Sequence, residues 1–462
     1  MDQRLEHFEA FVERIGFVLG HADRQEPFAH YCTGLLLPGE RKSVEPMAAQ
    51  VAPDRVRSKH QSLHHFVADA PWSDTALLGA VREYVTERAR RRAGAPEAVL
   101  IDDTGMPKQG RHSVGVARQY CGQLGKQDNC QVAVSVSVAN EHYSLPVGYR
   151  LYLPEEWAQD SDRRRKAKVP EEIGFATKPE LAIELLRELK MAGALPPLAI
   201  ADAGYGVNGP FRRDLQALGL DYVVGITGSL TVWPEGAQPP PLPEYSGRGR
   251  RPVRRMPDAT RRPVSVKTLA HALAQRRYRQ VTWREGTNAP LRSRFAALRV
   301  RCARRDGDRA DLEPEQWLLI EWPRGASEPE KYFLSTLPER IPVRELVRLA
   351  KLRWRIERDY QELKQELGLG QFEGRSWRGF HHHASLCIAA YGFLIAERVS
   401  APKKTLQHPI FGEIPAVPEA YRPRGSPERA APSTRLDRDT TTRAGTTAHR
   451  PTRPMSVLRP NK

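Results

Sequence analysis

Hydrophobic positions recur along this chain with different periods, and each period predicts a different kind of element. Residues 1–95 carry the helical period. Leu5, Phe8, Val12 and Ile15 fall on one helical face. A second helix is expected to start at Ser73-Asp74, where the serine can cap it, and to run through Leu77, Leu78, Val81 and Val85. From Ala98 the pattern changes to short apolar runs. Ala98 to Asp103 is the first. Gln131 to Ala139 alternates Val132, Val134, Val136 and Val138 with Ala and Ser at period two, and Leu198 to Asp202 and Tyr222 to Thr227 follow. Helical segments over 179–191 and 210–218 flank the Leu198 run. Strands that then alternate with helices predict an α/β fold, a mixed sheet flanked by helices.

Residues 228–333 break that rhythm. Pro239-Pro240-Pro241 and the basic run Arg248, Arg250, Arg251, Arg254 and Arg255 come first, and strand signals follow at 281–283, 295–300 and 317–322. The segment reads as a β-rich insertion whose basic run is a mobile loop. A single long helix is expected from Pro342, in its first turn, to Leu367. Leu346, Leu349, Leu352, Ile356, Tyr360, Leu363 and Leu367 make its core face, and Gly368 its C-cap. An apolar helix follows over 384–396. Beyond 400 the chain is rich in Pro, Thr and Arg and poor in large apolar residues, the composition of a disordered tail. The expected division is a helical, DNA-binding N-terminal domain (1–95), a first part of the α/β core (96–227), the insertion (228–333), a second part of the core (334–399) and the tail (400–462).

Composition narrows the class. A 462-residue chain with 40% hydrophobic and 27% charged residues is a soluble globular protein of two or three domains. Its net charge of +17 and pI of about 9.8 favour a polyanionic partner, with a generally Arg-rich composition as the alternative explanation. Five cysteines, an odd number at wide spacing with no Cys-x-x-Cys pair, exclude a zinc ribbon and a disulfide frame. The charged N-terminus lacks a signal-peptide apolar stretch, and the run 384–396 is too short to span a bilayer, so a cytoplasmic protein without membrane contact is expected.

Candidate chemistry centres on the expected long helix. Arg353 lies four residues before Glu357 and Lys364 seven after it, so all three share one stripe. A carboxylate between two cations suits a metal site that handles phosphate. Upstream, Asp103 and Asp202 each end an apolar run and precede glycines, in Asp102-Asp103-Thr104-Gly105 and Ala201-Asp202-Ala203-Gly204-Tyr205-Gly206. The glycines would let backbone and DNA approach closely. Asp102 competes with Asp103, and strand alternation turns the two to opposite faces, so only one lines the site. Two strand-end aspartates and one helical glutamate are the parts of a two-metal phosphoryl-transfer site. Two divalent ions about 3.5–4 Å apart neutralise the attacking and leaving oxygens, and carboxylates are the usual ligands of Mg2+, with Mn2+ as a possible substitute. Taken singly, an Asp before Gly is a turn residue and Glu357 an ordinary ion-pair partner of Arg353. The joint pattern in a basic chain carries the reading. Glu362 and Glu366 lie about 140° and 180° around the helix from Glu357.

Three further features have competing explanations. The stretch Arg55 to His65, with Arg57 and Lys59, suits phosphate and base contacts or is a solvated helix face. The triplet His381-His382-His383 points in three directions on a helix and fits surface or phosphate contact rather than one metal ion. Ser113, Ser135 and Ser137 have no matching base and acid, and Gly204-Tyr205-Gly206 is too short for a nucleotide-binding loop.

Arg353-Trp354-Arg355-Ile356-Glu357 followed by Lys364 resembles the Tyr-Arg-Glu-Lys signature of bacterial insertion-sequence DDE transposases related to the type-4 group, except that Ala350 stands at the tyrosine position. Ile101 to Pro154, with Asp102-Asp103-Thr104-Gly105 and Ser113-Val114-Gly115-Val116-Ala117-Arg118-Gln119-Tyr120, resembles more narrowly the 701-type insertion-sequence transposases. The segments 201–206 and 353–393 share that likeness, which covers about residues 1–400. The resemblance implies an RNase H-like core in which Asp103, Asp202 and Glu357 are the catalytic metal ligands, binding two Mg2+ ions. It implies cut-and-paste transposition: strand cleavage at the element ends, then 3′-OH strand transfer. The partners would be double-stranded DNA with terminal inverted repeats, target DNA, and a second copy in a dimeric synaptic complex on the nucleoid. Arg353 and Lys364 would hold DNA phosphate, with Arg57, Lys59, Arg250 and Arg251 as further contacts. An insertion-domain tryptophan, one of Trp233, Trp283, Trp317 and Trp322, would stabilise a flipped base. Two other readings remain: a transposase-derived DNA-binding protein without catalysis, and a stand-alone metal-dependent nuclease.

Overall fold

Five helices open the chain: α1 (Gln3–Gly16), α2 (Gln25–Leu36), α3 (Val44–Val51), α4 (Val56–Ala68) and α5 (Asp74–Arg90). The computed structural model describes residues 3–237, 239–250, 262–285, 289–303 and 312–401. Arg251, Arg254, Arg255 and residues 402–462 lie outside the described residues, and with them most of the expected mobile loop and disordered tail. One cap acts where the sequence places it. The Ser73 hydroxyl accepts from the Ala76 N–H and starts α5, and Leu77, Leu78, Val81 and Val85 are buried along it.

The core then alternates: β1 (Ala98–Pro107), β2 (Ala117–Cys121), β3 (Lys126–Ala139), β4 (Ser144–Leu151), α6 (Glu155–Gln159), α7 (Ser161–Lys166), α8 (Lys178–Met191), β5 (Leu198–Ala201), α9 (Ala203–Gly206), α10 (Gly209–Ala217) and β6 (Asp221–Ile226). A capping box between Thr177 and Glu180 starts α8. The inserted stretch holds β7 (Thr231–Trp233), β8 (Val264–Ser265), α11 (Val266–Ala272), β9 (Arg279–Arg284), β10 (Leu291–Cys302), β11 (Gln316–Glu321) and β12 (Lys331–Ser335). Three helices close the described chain: α12 (Val343–Lys351), α13 (Trp354–Gln365) and α14 (Trp377–Ser400).

Among the described residues the strands form one 12-stranded sheet in the order β2-β3-β1-β5-β6-β12-β11-β10-β7-β8, with β4 added on β3 and β9 on β10. β1 is antiparallel to β3 and parallel to β5, and β5 is parallel to β6. This is the mixed sheet flanked by helices that the pattern predicts. Strand β12, Lys-Tyr-Phe-Leu-Ser, has no counterpart in the sequence reading. It pairs with β6 from Tyr332↔Ile226 to Ser335↔Val223 and with β11, so the β-rich segment continues the core sheet through hydrogen bonds.

The period-two run forms β3 and is buried on both sides: every residue from Cys130 to Ala139 is buried, Ser135 and Ser137 included. One expectation fails through burial: the histidine triplet is not on the surface. His381, His382 and His383 are 4%, 3% and 2% exposed. His382 stacks on Trp72 and lies about 3 Å from the Val67 and Trp72 carbonyls, while His383 contacts the Tyr31 hydroxyl at 2.8 Å and the Gly368 carbonyl at 3.1 Å. These rings join α14 to the N-terminal helices and to the loop after α13. Burial pushes the pKa of His382 and of His383 down to about 4. The unfolded chain therefore takes up protons that the native state refuses between about pH 6.5 and pH 4. The contribution of the two rings is complete above pH 6.5 and falls as pH drops toward 4. Urea unfolding of His383→Gln compared with wild type is expected to show a gap that narrows over that window, and a gap independent of pH would contradict it.

No helix of the described residues is long and apolar enough to cross a membrane.

Candidate active site

Strand β1 runs through the middle of the site, and its alternation assigns side chains to faces. In register with it, Ile101 opposes Val136 and Asp103 opposes Val134 on β3, which in turn oppose Gly148 and Arg150 on β4. This set faces α8. A Cβ on Gly148 would touch Leu185, Arg150 pairs with Glu188, and the Lys178 ammonium sits 2.8 Å from Asp103 Oδ2. Asp102, Ser135 and Tyr149 occupy the opposite face, where Tyr149 stacks on Phe380 of α14 and Arg353 reaches Asp102 from α13.

The face assignment favours Asp102 over the Asp103 that the sequence reading put forward. In the parallel pair of β1 and β5, Ile101 lies opposite Ala201. One residue further stand Asp102, still in β1, and Asp202, just past the end of β5 as the N-cap of α9, and the Asp202 charge acts on Asp102. One guanidinium nitrogen of Arg353 donates to Asp102 Oδ2 at 2.9 Å and the other donates to Glu357 Oε1. Asp102 and Glu357 are thus joined by Arg353, with Asp202 acting on Asp102, and Asp103 is held on the other side of β1 by Lys178.

The electrostatics agree with this grouping. Burial pushes the pKa of Asp102 up to about 7, against the opposing pull of Arg353, and the charges of Asp202 and Asp103 raise it further. A buried carboxylate facing a second carboxylate, with one guanidinium as counter-charge, has an affinity for cations left over. Asp202 is held by its own turn: Oδ1 accepts the N–H groups of Gly204 at 2.9 Å and Tyr205 at 3.4 Å, capping α9. Below it, a Cβ on Gly206 would lie 1.9 Å from the Gly225 carbonyl oxygen, and one on Gly225 would lie 2.8 Å from the Ala203 nitrogen. These glycines serve backbone-on-backbone packing of α9 against β6, which sets the position of Asp202.

The glutamate helix is not one rod. α12 ends at Lys351 and α13 begins at Trp354, with three-residue backbone bonds from Leu352 to Leu349, Arg355 to Leu352 and Ile356 to Arg353. At the break Arg284 of β9 stacks on Trp354, 3.9 Å from the ring centroid. Past it, Glu357 keeps a mostly solvent-facing side chain (57% exposed). Lys364 donates to the Gly105 carbonyl at 2.8 Å, and burial lowers its pKa. Glu362 is buried against Arg358 and Arg398, away from this stripe. Gly368 adopts φ +68 but is not the expected C-cap: α13 ends at Gln365, and Glu366, in the right-handed helical region, caps it.

The remaining candidates are scattered. Arg57 is exposed on α4. Lys59 is 7% exposed and donates to Glu26 at 2.8 Å beside His30, so its ammonium is engaged inside the helical bundle rather than offered to DNA. Arg250 is exposed. Trp233 and Trp322 are buried, whereas Trp283 and Trp317 are half-buried. Trp283 packs against Phe295 and the Lys351 ammonium, and Trp317 donates to the Pro338 carbonyl. Two residues to which the sequence reading gave no part in the site lie near Asp102. Tyr205 and Tyr360 are buried with hydroxyls that have no hydrogen-bond partner among the described residues. Burial chiefly, and the Asp102 charge among others, raise their pKa values. Their only sequence signal is nearness to Asp202 and Glu357.

Three carboxylates with hard oxygen donors suit a divalent cation such as Mg2+ or Mn2+. Among the described residues no three His, Cys, Asp or Glu side chains converge to ligating distance, and Arg353 joins Asp102 to Glu357. The donor chemistry fits, with the Arg353 guanidinium placed between Asp102 and Glu357.

Comparison with known proteins adds two findings. A family model described as DDE superfamily endonuclease matches residues 16–290, a span that contains Asp102, Asp103 and Asp202 and ends before Glu357. A protein named as a probable transposase for insertion sequence element IS701, from Microchaete diplosiphon, is 33% identical over 208 residues, 45% of this chain and 50% of that one. The chain therefore spans about half the length of the curated relative it matches.

Proposed function

This chain belongs to the DDE superfamily of endonucleases, and from that premise we propose that it is an insertion-sequence transposase that cuts and rejoins DNA with Asp102, Asp202 and Glu357 as its metal-binding carboxylates. Endonucleases of this family generally use divalent metal ions. The observation that carries the reading is the grouping around Asp102: Asp202 follows the Ile101–Ala201 pair at the end of β5 and its charge acts on Asp102, and Arg353 links Asp102 to Glu357 on α13. The likeness to a probable transposase supports the same substrate class, DNA.

Each residue has a role that follows from its placement. Asp102, Asp202 and Glu357 would hold two Mg2+ ions, which when bound neutralise the attacking and leaving oxygens of the phosphodiester. Arg353 offsets the repulsion between Asp102 and Glu357 and carries a second set of donors for a DNA phosphate. Lys364, partly buried and donating to the neutral Gly105 carbonyl, would offer its charge to the same strand. Asp202 is fixed by its cap, so its carboxylate needs little ordering when the substrate binds. The helices before residue 96, with Arg57 at their surface, are assigned to the terminal inverted repeats, and a second copy of the chain to a synaptic dimer. Freed 3′-OH ends would then attack target DNA.

The test is strand cleavage of a duplex carrying the flanking element end, with Mg2+ or Mn2+, by wild type and by Glu357→Gln. Cleavage by the wild type, a loss of at least about a hundredfold in the variant, and DNA affinity kept within about twofold are expected. Binding without cleavage by the wild type in both metals would instead identify a transposase-derived DNA-binding protein. Cleavage without joining of 3′ ends would identify a nuclease.

A further inference from the structure

Beyond the carboxylates, β1 leads into a cleft of ≈ 500 Å³ built from three separate segments. The loop after α2 contributes Arg41, the end of β1 contributes Lys108, Gln109, His112 and Ser113, and the loop between α13 and α14 contributes Phe372 and Arg375. Its volume lies within the range of about 300–1,000 Å³ usual for small-molecule sites, far too small for a duplex.

The charge of the cleft is strongly one-sided. Glu373 is its one carboxylate among the described residues, and it is bound to Arg41. Lys108 donates to the Phe372 carbonyl at 2.8 Å, a neutral partner, and burial lowers its pKa. The Arg375 guanidinium and the His112 ring are exposed and make no hydrogen bond or ion pair among the described residues. Cations also stand at regular steps along the strand that leads here. Arg353 binds at Asp102, Lys364 binds at Gly105, and Lys108 follows three residues later. Each step is about 10 Å along an extended strand. A strand of DNA crossing the Arg353–Lys364 stripe is thereby drawn along β1 into the cleft.

We propose that this cleft is a subsite for one unpaired nucleotide of the DNA strand that crosses the carboxylate site. Lys108, Arg375 and His112 receive its phosphate, and the side chains of Gln109 and Ser113, which have both donors and acceptors, meet its sugar or base edge. Arg41 belongs to the N-terminal helical region and Lys108 follows the end of β1, so an occupied cleft ties the two regions to the same strand. The inference rests on the DNA reading above and adds where an unpaired nucleotide goes.

Binding is measured on the full chain in EDTA, which prevents metal-dependent cleavage. The probes are a fluorescein-labelled blunt duplex, the same duplex with a short single-stranded extension, and inorganic phosphate as competitor. For wild type, the extension is expected to tighten binding by about tenfold. Arg375→Glu should remove that gain, lower the salt slope for the extended duplex by about one, and leave the blunt duplex within about twofold. His112→Glu, also an exposed position, provides an independent variant with the same expected outcome. Equal affinity of wild type for both duplexes would overturn the proposal, and so would a variant that weakens both alike. Displacement of the extended duplex to the blunt level by millimolar phosphate would show a free-anion site and overturn the nucleotide assignment. The outcome is separable from the catalytic reading. Cleavage by wild type without an extension preference removes only the cleft, and a preference without cleavage removes only the catalysis.

Discussion

Asp102→Asn is expected to abolish metal-dependent strand cleavage, by ~10³-fold or more, while Asp103→Asn lowers it by less than about tenfold. Both residues end the same strand and stand one position apart, so nothing but facing separates them. Asp102 points to the Arg353–Glu357 pair and feels the Asp202 charge. Asp103 points to α8, where Lys178 neutralises it. On the proposed assignment, replacing Asp102 removes a metal ligand, whereas replacing Asp103 frees a lysine at a partly exposed ion pair, an interaction worth little to folding. The measurement is initial cleavage rate with Mn2+ and Mg2+ for both variants, with DNA affinity in parallel. A dead Asp103→Asn beside an active Asp102→Asn would reverse the assignment. Misfolding does not confuse the result. The native pKa of Asp102, raised to about 7 from an ordinary value near 3.8, means that ionising it costs stability as pH rises through that interval. Above pH 7 wild type bears this cost in full, and an asparagine does not. The variant, without the charge but also without its Arg353 pairing, should unfold at a denaturant concentration close to that of wild type.

Gly206→Ala should destabilise the fold by at least ~3 kcal/mol and lose cleavage with it. The added methyl would sit 1.9 Å from the Gly225 carbonyl oxygen and 2.9 Å from the Val224 side chain, and the nearest obstacle is backbone in the sheet centre. Relief requires lifting α9 off β6. Asp202 is the N-cap of α9, so lifting the helix moves a carboxylate of the site. The result is checked by urea unfolding and by cleavage rate. The control is Gly79→Ala in α5, where nothing lies within 4 Å of the new methyl and helix propensity favours the alanine by about 0.5–1 kcal/mol. A Gly206→Ala protein as stable as wild type would show that α9 does not rest on β6 as described.

Local chemistry was readable wherever one residue type answers one local demand. Ser73 starts a helix because its side chain satisfies an amide group that the first turn leaves open. Apolar runs with no room for a helix became β1, β3, β5 and β6. The spacing of Arg353, Glu357 and Lys364 placed them on one stripe, since helical geometry converts spacing directly into direction. The strand pattern showed that Asp102 and Asp103 must face apart, and from the chain alone either could be the one at the site. By itself, then, the sequence determined the α/β class, the main core elements, the Ser73 cap, and the short set of acidic and basic residues from which a site could be built.

What remained depended on neighbours distant in sequence. The proposed choice between the two aspartates follows from where α8 and α13 pack against β1, and each supplies its own cation, Lys178 or Arg353. Lys59 and the three histidines look like surface groups until Glu26, Trp72 and Tyr31 enclose them. The break at Leu352–Arg353 lies inside an unbroken helical pattern, and in the fold it lies where Arg284 of β9 stacks on Trp354. Strand β12 is five residues long and acquires its role from pairing with β6 and β11. The glycines beside Asp202 serve a contact with Gly225 that no local motif announces. Secondary structure and caps are set by interactions within a few residues, which a sequence displays. Facing, burial and charge pairing are set by which elements meet, and only the tertiary structure decided those.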